Sequence, residues 1–156
     1  MKQDIRAAAI VVLGLLALPG AAYALGSTST PEPAQADLYK QAEDLIDDEE
    51  YAKAIPLLQQ SIQEKGEYAD ALNLLGYANR ELGDKAKAMT YYTKALNMEP
   101  NHLGANEYMG ELYLELDNLP KAEERLAVLK SACGDCEEYE DLEDEIDDYK
   151  EEHGLS

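Results

Sequence analysis

The chain has 156 residues, with 33 acidic residues against 13 lysines and arginines, and its formal net charge at pH 7 is −20. This length suits one domain plus some sequence outside it. A charge this negative repels nucleic acids and anionic lipid surfaces, because both are polyanions, so it argues against a nucleic-acid-binding protein and favours partners of neutral or basic character. Solubility alone would explain the same charge, which therefore names no ligand.

Residues 1–24 have the layout of a signal peptide. Lys2 and Arg6 supply positive charge, an apolar run extends from Ala7 to Leu18, and Ala22-Tyr23-Ala24 offers small residues at the two positions that signal peptidase recognises. The apolar run is too short to cross a bilayer as a helix, although an uncleaved anchor is the alternative. We expect cleavage near Ala24, export to the periplasm or the medium, and no membrane insertion afterwards.

Residues 25–34 form a predicted flexible linker. The segment from Gly26 to Ala34 reads GSTSTPEPA, in which Ser, Thr and Pro dominate and no apolar period is present. From about Leu38 onward, apolar residues recur at spacings of three and four and are interrupted by Gly, Asp, Asn and Pro. This spacing places the apolar residues on one face of a helix and predicts an all-α protein.

A period of 34 residues organises the helical part of the sequence. Three sets of residues recur at this interval: Ala42, Gly76 and Gly110; Ala54, Ala88 and Ala122; Leu58, Tyr92 and Leu126. The turn Gly83-Asp84 and the closing Pro100 complete the pattern in the middle repeat. A helix-turn-helix repeat with these landmarks resembles the tetratricopeptide repeat. The resemblance implies a right-handed α-solenoid of three units, at residues 35–68, 69–102 and 103–135.

Small residues and helix caps account for several of these landmarks. Gly76 and Gly110 carry no side chain, so the two helices of a unit can approach closely. Asp84 and Asn118 are suited to cap the second helices of their units. The outer units depart from the family pattern, and Asp48-Glu49 stands where the first turn would carry Leu-Gly. Such departures are typical of a short array, because the outer faces of its end units meet water.

Residues 136–156 are predicted to form an acidic amphipathic capping helix and a tail. Gly134 can end the preceding helix, and Asp135 with Glu138 has the layout of a capping box. The apolar residues of the helix fall on one stripe: Tyr139, Leu142, Ile146 and Tyr149. Acidic residues occupy the other faces and predict a solvated surface, because the spacing of a calcium-binding loop is missing.

Cys133 and Cys136 immediately precede this helix. In an exported chain such a pair is more typical of a disulfide than of a zinc site, which would need four suitable ligands. A redox-active pair is a second alternative, but no strand precedes the motif, and the neighbouring acids would raise a thiol pKa. We predict a structural disulfide, no metal site and no cofactor.

In the tetratricopeptide family the first helix of each unit faces a groove that holds peptides or other proteins. The resemblance places these residues on or beside that face: Tyr39, Glu43, Asn73, Tyr77, Arg80, Glu107, Tyr108 and Glu111. The family's clamp for a C-terminal carboxylate does not carry over, since only Asn73 and Arg80 are of suitable type. With Glu107 and Glu111 present, the groove should refuse acidic segments and hold a neutral or basic one. Packing of the tyrosines between units is the alternative for each of them.

No Ser-His-Asp set, phosphate-binding loop or metal-spaced histidine pair occurs in the sequence, so we predict no catalytic residues and no enzyme. The sequence predicts a non-catalytic interaction module or scaffold of the cell envelope that binds a protein or peptide segment. One alternative is a thiol-redox accessory protein that uses Cys133 and Cys136, and another is a structural part of an envelope assembly. The sequence leaves the oligomeric state open.

Overall fold

The computed structural model describes residues 37–155, which form seven α-helices and no strand. The helices are α1 (Leu38–Asp47), α2 (Tyr51–Lys65), α3 (Ala69–Glu81), α4 (Lys85–Met98), α5 (Leu103–Leu114), α6 (Leu119–Ala132) and α7 (Glu137–Glu152). The first six pack in consecutive pairs, each pair packs against the next, and α7 covers α5 and α6. The predicted all-α solenoid of three helix pairs with a capping helix is confirmed.

The predicted signal peptide at residues 1–24 and the predicted linker at residues 25–34 lie outside the described residues. Within the described part of the chain, every helix is too short or too polar to cross a membrane.

The turn inside each helix pair has the same backbone form. One residue of each turn takes a positive φ, namely Glu49 at 60°, Gly83 at 82° and Asp117 at 56°. These residues are 34 positions apart, so the period of the sequence is also a period of the backbone. Gly83 adopts this conformation without steric cost, whereas a residue with a Cβ atom loses about 1 kcal/mol in it. The turn geometry therefore persists in the two outer pairs although only the middle pair has the glycine.

The helix caps agree with the predictions only in part. Asp84 accepts a hydrogen bond from the backbone N–H of Lys87 at 3.1 Å, as predicted. Asn118 occupies the N-cap of α6, but its side chain accepts no hydrogen bond from the helix. The predicted capping box that begins at Asp135 is wrong, because Cys136 is extended directly before α7 and takes the N-cap position. Acids in the first turn of α7 are favourable there, since the positive end of the helix dipole faces them.

Two glycines make room for bulky side chains in the core. A Cβ atom on Gly76 would lie 2.4 Å from Cε1 of Tyr92, whose side chain is fully buried. This close neighbour of Gly76 is in the paired helix α4, as predicted. A Cβ atom on Gly110 would lie 2.5 Å from Cδ2 of Leu142. That neighbour belongs to α7 instead of the paired helix α6, so the glycine of the third pair makes room for the capping helix.

The apolar stripe of α7 attaches it to the third helix pair. The stripe is buried or half-buried at Tyr139, Leu142, Ile146 and Tyr149. It packs against Leu129 of α6, and the side chains of Cys133 and Cys136 meet in the turn that joins the two helices. The capping helix thus covers the apolar face that α5 and α6 would otherwise expose to water.

We expect Gly110→Ala to lower the free energy of unfolding by about 1–3 kcal/mol, because the added methyl overpacks against Leu142. Leu142→Ala alone should cost about 2–5 kcal/mol by leaving a cavity. In the double variant the methyl occupies part of that cavity, so the loss should be smaller than the sum of the two single losses. Urea unfolding of the four proteins measures this coupling. Strictly additive losses would contradict the close contact.

Candidate functional site

The helices α1, α3 and α5 lie in a row, and the start of α7 continues it. Two open hollows lie along this groove, and Leu74 and Tyr108 line both of them. We call the first the tyrosine hollow and the second the acidic hollow. Of the residues predicted from the sequence, those in the tyrosine hollow are Glu43, Tyr77 and Tyr108, and those in the acidic hollow are Tyr39, Asn73, Glu107 and Tyr108.

The tyrosine hollow has a volume of about 410 Å³. Its lining includes Lys40, Glu43, Ile46, Tyr51, Tyr77 and Tyr108. The ring of Tyr77 is central, since its centroid lies 5.9 Å from that of Tyr51 and 4.7 Å from that of Tyr108. Burial raises the pKa of Tyr77 to about 12, so its hydroxyl remains neutral at physiological pH. The hollow therefore combines apolar ring surface with phenol hydroxyls, a combination that is typical of protein-binding surfaces.

The acidic hollow has a volume of about 370 Å³ and is bordered by α1, α3, α5 and α7. Its lining includes Tyr39, Asp70, Asn73, His102, Glu107 and Asp141. Two of these polar residues are almost fully buried, Asn73 at 6% and Glu107 at 7% exposure. Gly104 makes room for the first of them, because a Cβ atom there would lie 3.0 Å from Nδ2 of Asn73.

His102 is fixed at the rim of the acidic hollow by two contacts. Its Nδ1 accepts a hydrogen bond from the backbone N–H of Ala105 at 3.1 Å and so caps α5. In the neutral ring the proton is then on Nε2, which lies 3.0 Å from Oδ1 of Asp70 and donates to it. His102 and Asp70 are therefore already paired with each other.

The capping helix supplies a wall of the acidic hollow that the sequence-based prediction left out. Three of its acids line the hollow: Glu137, Glu138 and Asp141. The helices α3, α5 and α7 begin 34 residues apart, at Ala69, Leu103 and Glu137. Asn73, Glu107 and Asp141 are likewise 34 residues apart. Continuing the period past the cysteine pair would have identified α7 as standing in the position of a fourth first helix.

Arg80 and Glu111, two of the predicted groove residues, are paired with each other across α3 and α5. The side chain of Arg80 is 8% exposed, and it also reaches Glu81 at 3.1 Å and Glu115 at 3.6 Å. Its guanidinium carbon lies 5.5 Å from the ring centroid of Tyr77. Burial alone would lower the pKa of Arg80, but the charge of Glu111 raises it above its ordinary value. The charge of Arg80 is therefore neutralised within the protein, beneath the tyrosine hollow.

Glu107 has no such partner among the described residues. Burial, followed by the charges of Glu111, Asp141 and Glu138, raises the pKa of Glu107 to about 8, and Arg80 offsets this only in part. Most Glu107 side chains therefore carry a proton at pH 7. Within residues 37–155, no group of three His, Cys, Asp or Glu side chains is placed to hold a metal ion.

We expect Arg80→Met to lower the free energy of unfolding by about 3 kcal/mol, because it leaves the partly buried Glu111 without a counter-ion. Adding Glu111→Gln to the same chain should recover most of this loss. Lys87→Met is the control, since Lys87 forms an exposed ion pair with Asp84 at 2.6 Å and its removal should change stability little. Urea unfolding separates these cases. Equal losses for the Arg80 and Lys87 variants would contradict a structural role for the buried pair.

We expect Glu107→Gln to change how stability depends on pH. The pKa of Glu107 is raised to about 8 in the folded protein. An unfolded glutamate has a pKa of about 4.3, so between these values the folded state binds more protons and stability falls as pH rises. The free energy of unfolding of the variant should be close to that of the original protein at about pH 4. At about pH 9 it should be larger by a few kcal/mol. Asp144→Asn, at an exposed position of α7, is the matched control in urea unfolding. A Glu107→Gln curve that follows this control would contradict the raised pKa.

Several solved structures share this fold. The Yersinia enterocolitica type III secretion chaperone SycD, in complex with a peptide of the translocator YopD, is 19% identical, with a TM-score of 0.63 over 76% of this chain and 90% of the chaperone. A tetratricopeptide repeat protein from Parabacteroides merdae is also 19% identical, with a TM-score of 0.63 over 80% of this chain and 50% of that protein. YrrB, described as a tetratricopeptide repeat protein with an unusual peptide-binding site, is 17% identical, with a TM-score of 0.53 over 76% of this chain and 70% of its own.

Identities this low support the fold alone, and no curated protein matches the sequence. Family models supply the assignment. Two models of the tetratricopeptide repeat match the chain, one over residues 39–102 and the other over residues 79–146. The second match extends into α7, in agreement with the continued 34-residue register. The chain therefore belongs to the tetratricopeptide repeat family.

Proposed function

We propose that the protein is a non-catalytic interaction module of the cell envelope, which holds an extended segment of another protein in the groove of α1, α3, α5 and α7. The observation that carries this proposal is the pair of adjoining hollows, of about 410 and about 370 Å³. Both are in the size range of sites that bury a ligand, about 300–1,000 Å³, and they meet at Leu74 and Tyr108. An extended segment that crosses this boundary can place one side chain in each hollow.

Two structural relatives are consistent with this use of the fold. SycD was solved with a peptide of the translocator YopD, and YrrB is described as having an unusual peptide-binding site. Their low identity to this chain carries over no ligand, and the groove residues of this chain have to indicate the partner by their own chemistry.

The chemistry of the groove favours a segment of neutral or basic character. The net charge of −20 and the carboxyl groups around the acidic hollow repel an acidic peptide. The buried charge of Arg80 does not compensate for them, because it is paired with Glu111. The tyrosine hollow favours an apolar or aromatic side chain of the same segment.

The N-terminal sequence supports an exported protein, cleaved near Ala24 and located in the periplasm or outside the cell. For Cys133 and Cys136 we propose a structural role, in which a disulfide bond between them holds the turn between α6 and α7. A thiol-redox accessory protein is the less favoured function, because the nearby acids Asp135 and Glu137 oppose formation of a thiolate.

Site-specific crosslinking in cells tests the proposal. We expect a photoreactive residue in place of Tyr77 to crosslink to a recurring segment of one partner, identified by mass spectrometry, with a net charge of zero or above. The control is the same residue in place of Ala86, which is exposed on α4, the second helix of the same pair. Crosslinks from position 86 but not from position 77 would show that the groove is not the binding surface. The protein recovered in this experiment should begin at Leu25.

A further inference from the structure

The acidic hollow has no lysine or arginine among the described residues that line it. Its described lining contains acids from three helices, Asp70, Glu107 and Asp141 among them. Arg80, the charged group of α3 that faces Glu107, is already bound by Glu111. Because the hollow concentrates carboxyl groups in a partly buried space, a positive charge placed inside it would be stabilised more strongly than one on the outer surface.

A second and independent feature points to a hydrogen-bond donor as the missing group. Asn73 is 6% exposed, and its Oδ1 has no hydrogen-bond partner among the described residues. A buried acceptor without a donor costs free energy, so an unpaired one at a groove wall marks a place where a ligand would supply the donor. Asn73 lines the acidic hollow but this oxygen is itself covered, so a ligand donor requires the amide to rotate about its soft χ2 torsion.

We propose that the acidic hollow is a subsite for an arginine side chain of the bound segment, with Glu107 as its counter-ion and Asn73 as a neutral acceptor. This assignment rests on the proposed function, since it describes one position of the segment held in the groove. A guanidinium group fits better than an ammonium group, because it offers five donors in a plane to acceptors on several sides. The rings of Tyr39 and Tyr108, which also line the hollow, can stack on that plane.

Arginine binding at this position is coupled to proton release. In the empty groove burial raises the pKa of Glu107 to about 8, and a guanidinium next to the carboxyl favours its ionised form. Below about pH 8 the side chain must lose a proton to act as counter-ion, so affinity should rise with pH and level off above this value. The other titratable groups that line the hollow are Tyr39, Asp70, His102, Tyr108, Glu137, Glu138 and Asp141, and Glu111 and Arg80 act on Glu107 from beside it. They are unchanged in a Glu107 variant, so comparison with that variant isolates the contribution of Glu107.

An NMR titration tests the assignment with a defined probe, Nα-acetyl-arginine methylamide. Its control is the citrulline analogue, which has nearly the same shape and no charge. We expect the arginine probe, and not the citrulline probe, to shift the backbone amide signals of Asn73 and Gly104. Glu107→Gln should weaken binding roughly tenfold at about pH 9 and much less at about pH 6, where Glu107 is protonated in both the free and the weakly bound protein. Asp144→Asn, which removes a charge outside the hollow, should bind the probe like the original protein.

Several outcomes would overturn the assignment: equal shifts from the two probes, no shift at Gly104, or equal weakening by Glu107→Gln and Asp144→Asn. Well-dispersed amide signals of the Glu107→Gln variant show that it is folded. They exclude unfolding as a cause of weaker binding. If the arginine probe fails while crosslinks from position 77 persist, the arginine subsite is wrong and the interaction module stands. If crosslinking from position 77 also fails, the proposed function is wrong as well.

Discussion

The structure depends on one constraint, which is that each helix pair has an apolar face that only the next pair can cover. Positions without a side chain allow close approach both within a pair and between a pair and the helix that covers it. Tyr92 fills the space beside Gly76 in the middle pair, and Leu142 fills the corresponding space beside Gly110. Residues 37–155 contain no fourth pair, and α7 alone takes over the covering role. Its acidic outer faces end the array because they meet water instead of another repeat.

The groove follows from the same stacking, since repeated packing sets the first helices side by side in a fixed register. Two carboxyl groups on α5, the buried Glu107 and the partly buried Glu111, then differ sharply in their surroundings. Glu111 is paired with Arg80 and contributes to the contact between the second and third helix pairs. Glu107, one helical turn earlier, has no ion-pair partner in the described part of the chain and faces acids from α7. One acid of α5 thus stabilises the contact between two helix pairs, whereas a cation bound in the groove would stabilise the charged form of the other.

The fold is shared with proteins of 16–19% identity, so it is specified by a small number of landmarks. Groove chemistry is not specified by those landmarks. All aromatic residues of this chain are tyrosines, eleven in number, and four of them meet at the two hollows. Tyrosine adds ring area with little conformational entropy to lose, and its neutral hydroxyl tolerates partial burial near carboxyl groups. The recognition properties of the groove therefore belong to this chain, while its scaffold belongs to the family.

The sequence by itself determined the all-helical class, the three repeats, the capping helix and the face on which Tyr77 and Asn73 lie, because a fixed period of 34 residues translates directly into helix position. The tertiary structure alone decided which charged side chains are paired with one another. Arg80 and Glu111 are 31 positions apart, and only the packing of α3 on α5 brings them together and removes both from the groove surface. It also decided that Gly110 makes room for Leu142 of α7 and not for a side chain of the paired helix α6. The physical reason is that periodicity fixes the direction of a side chain, whereas pairing and desolvation depend on distances between helices that only packing sets.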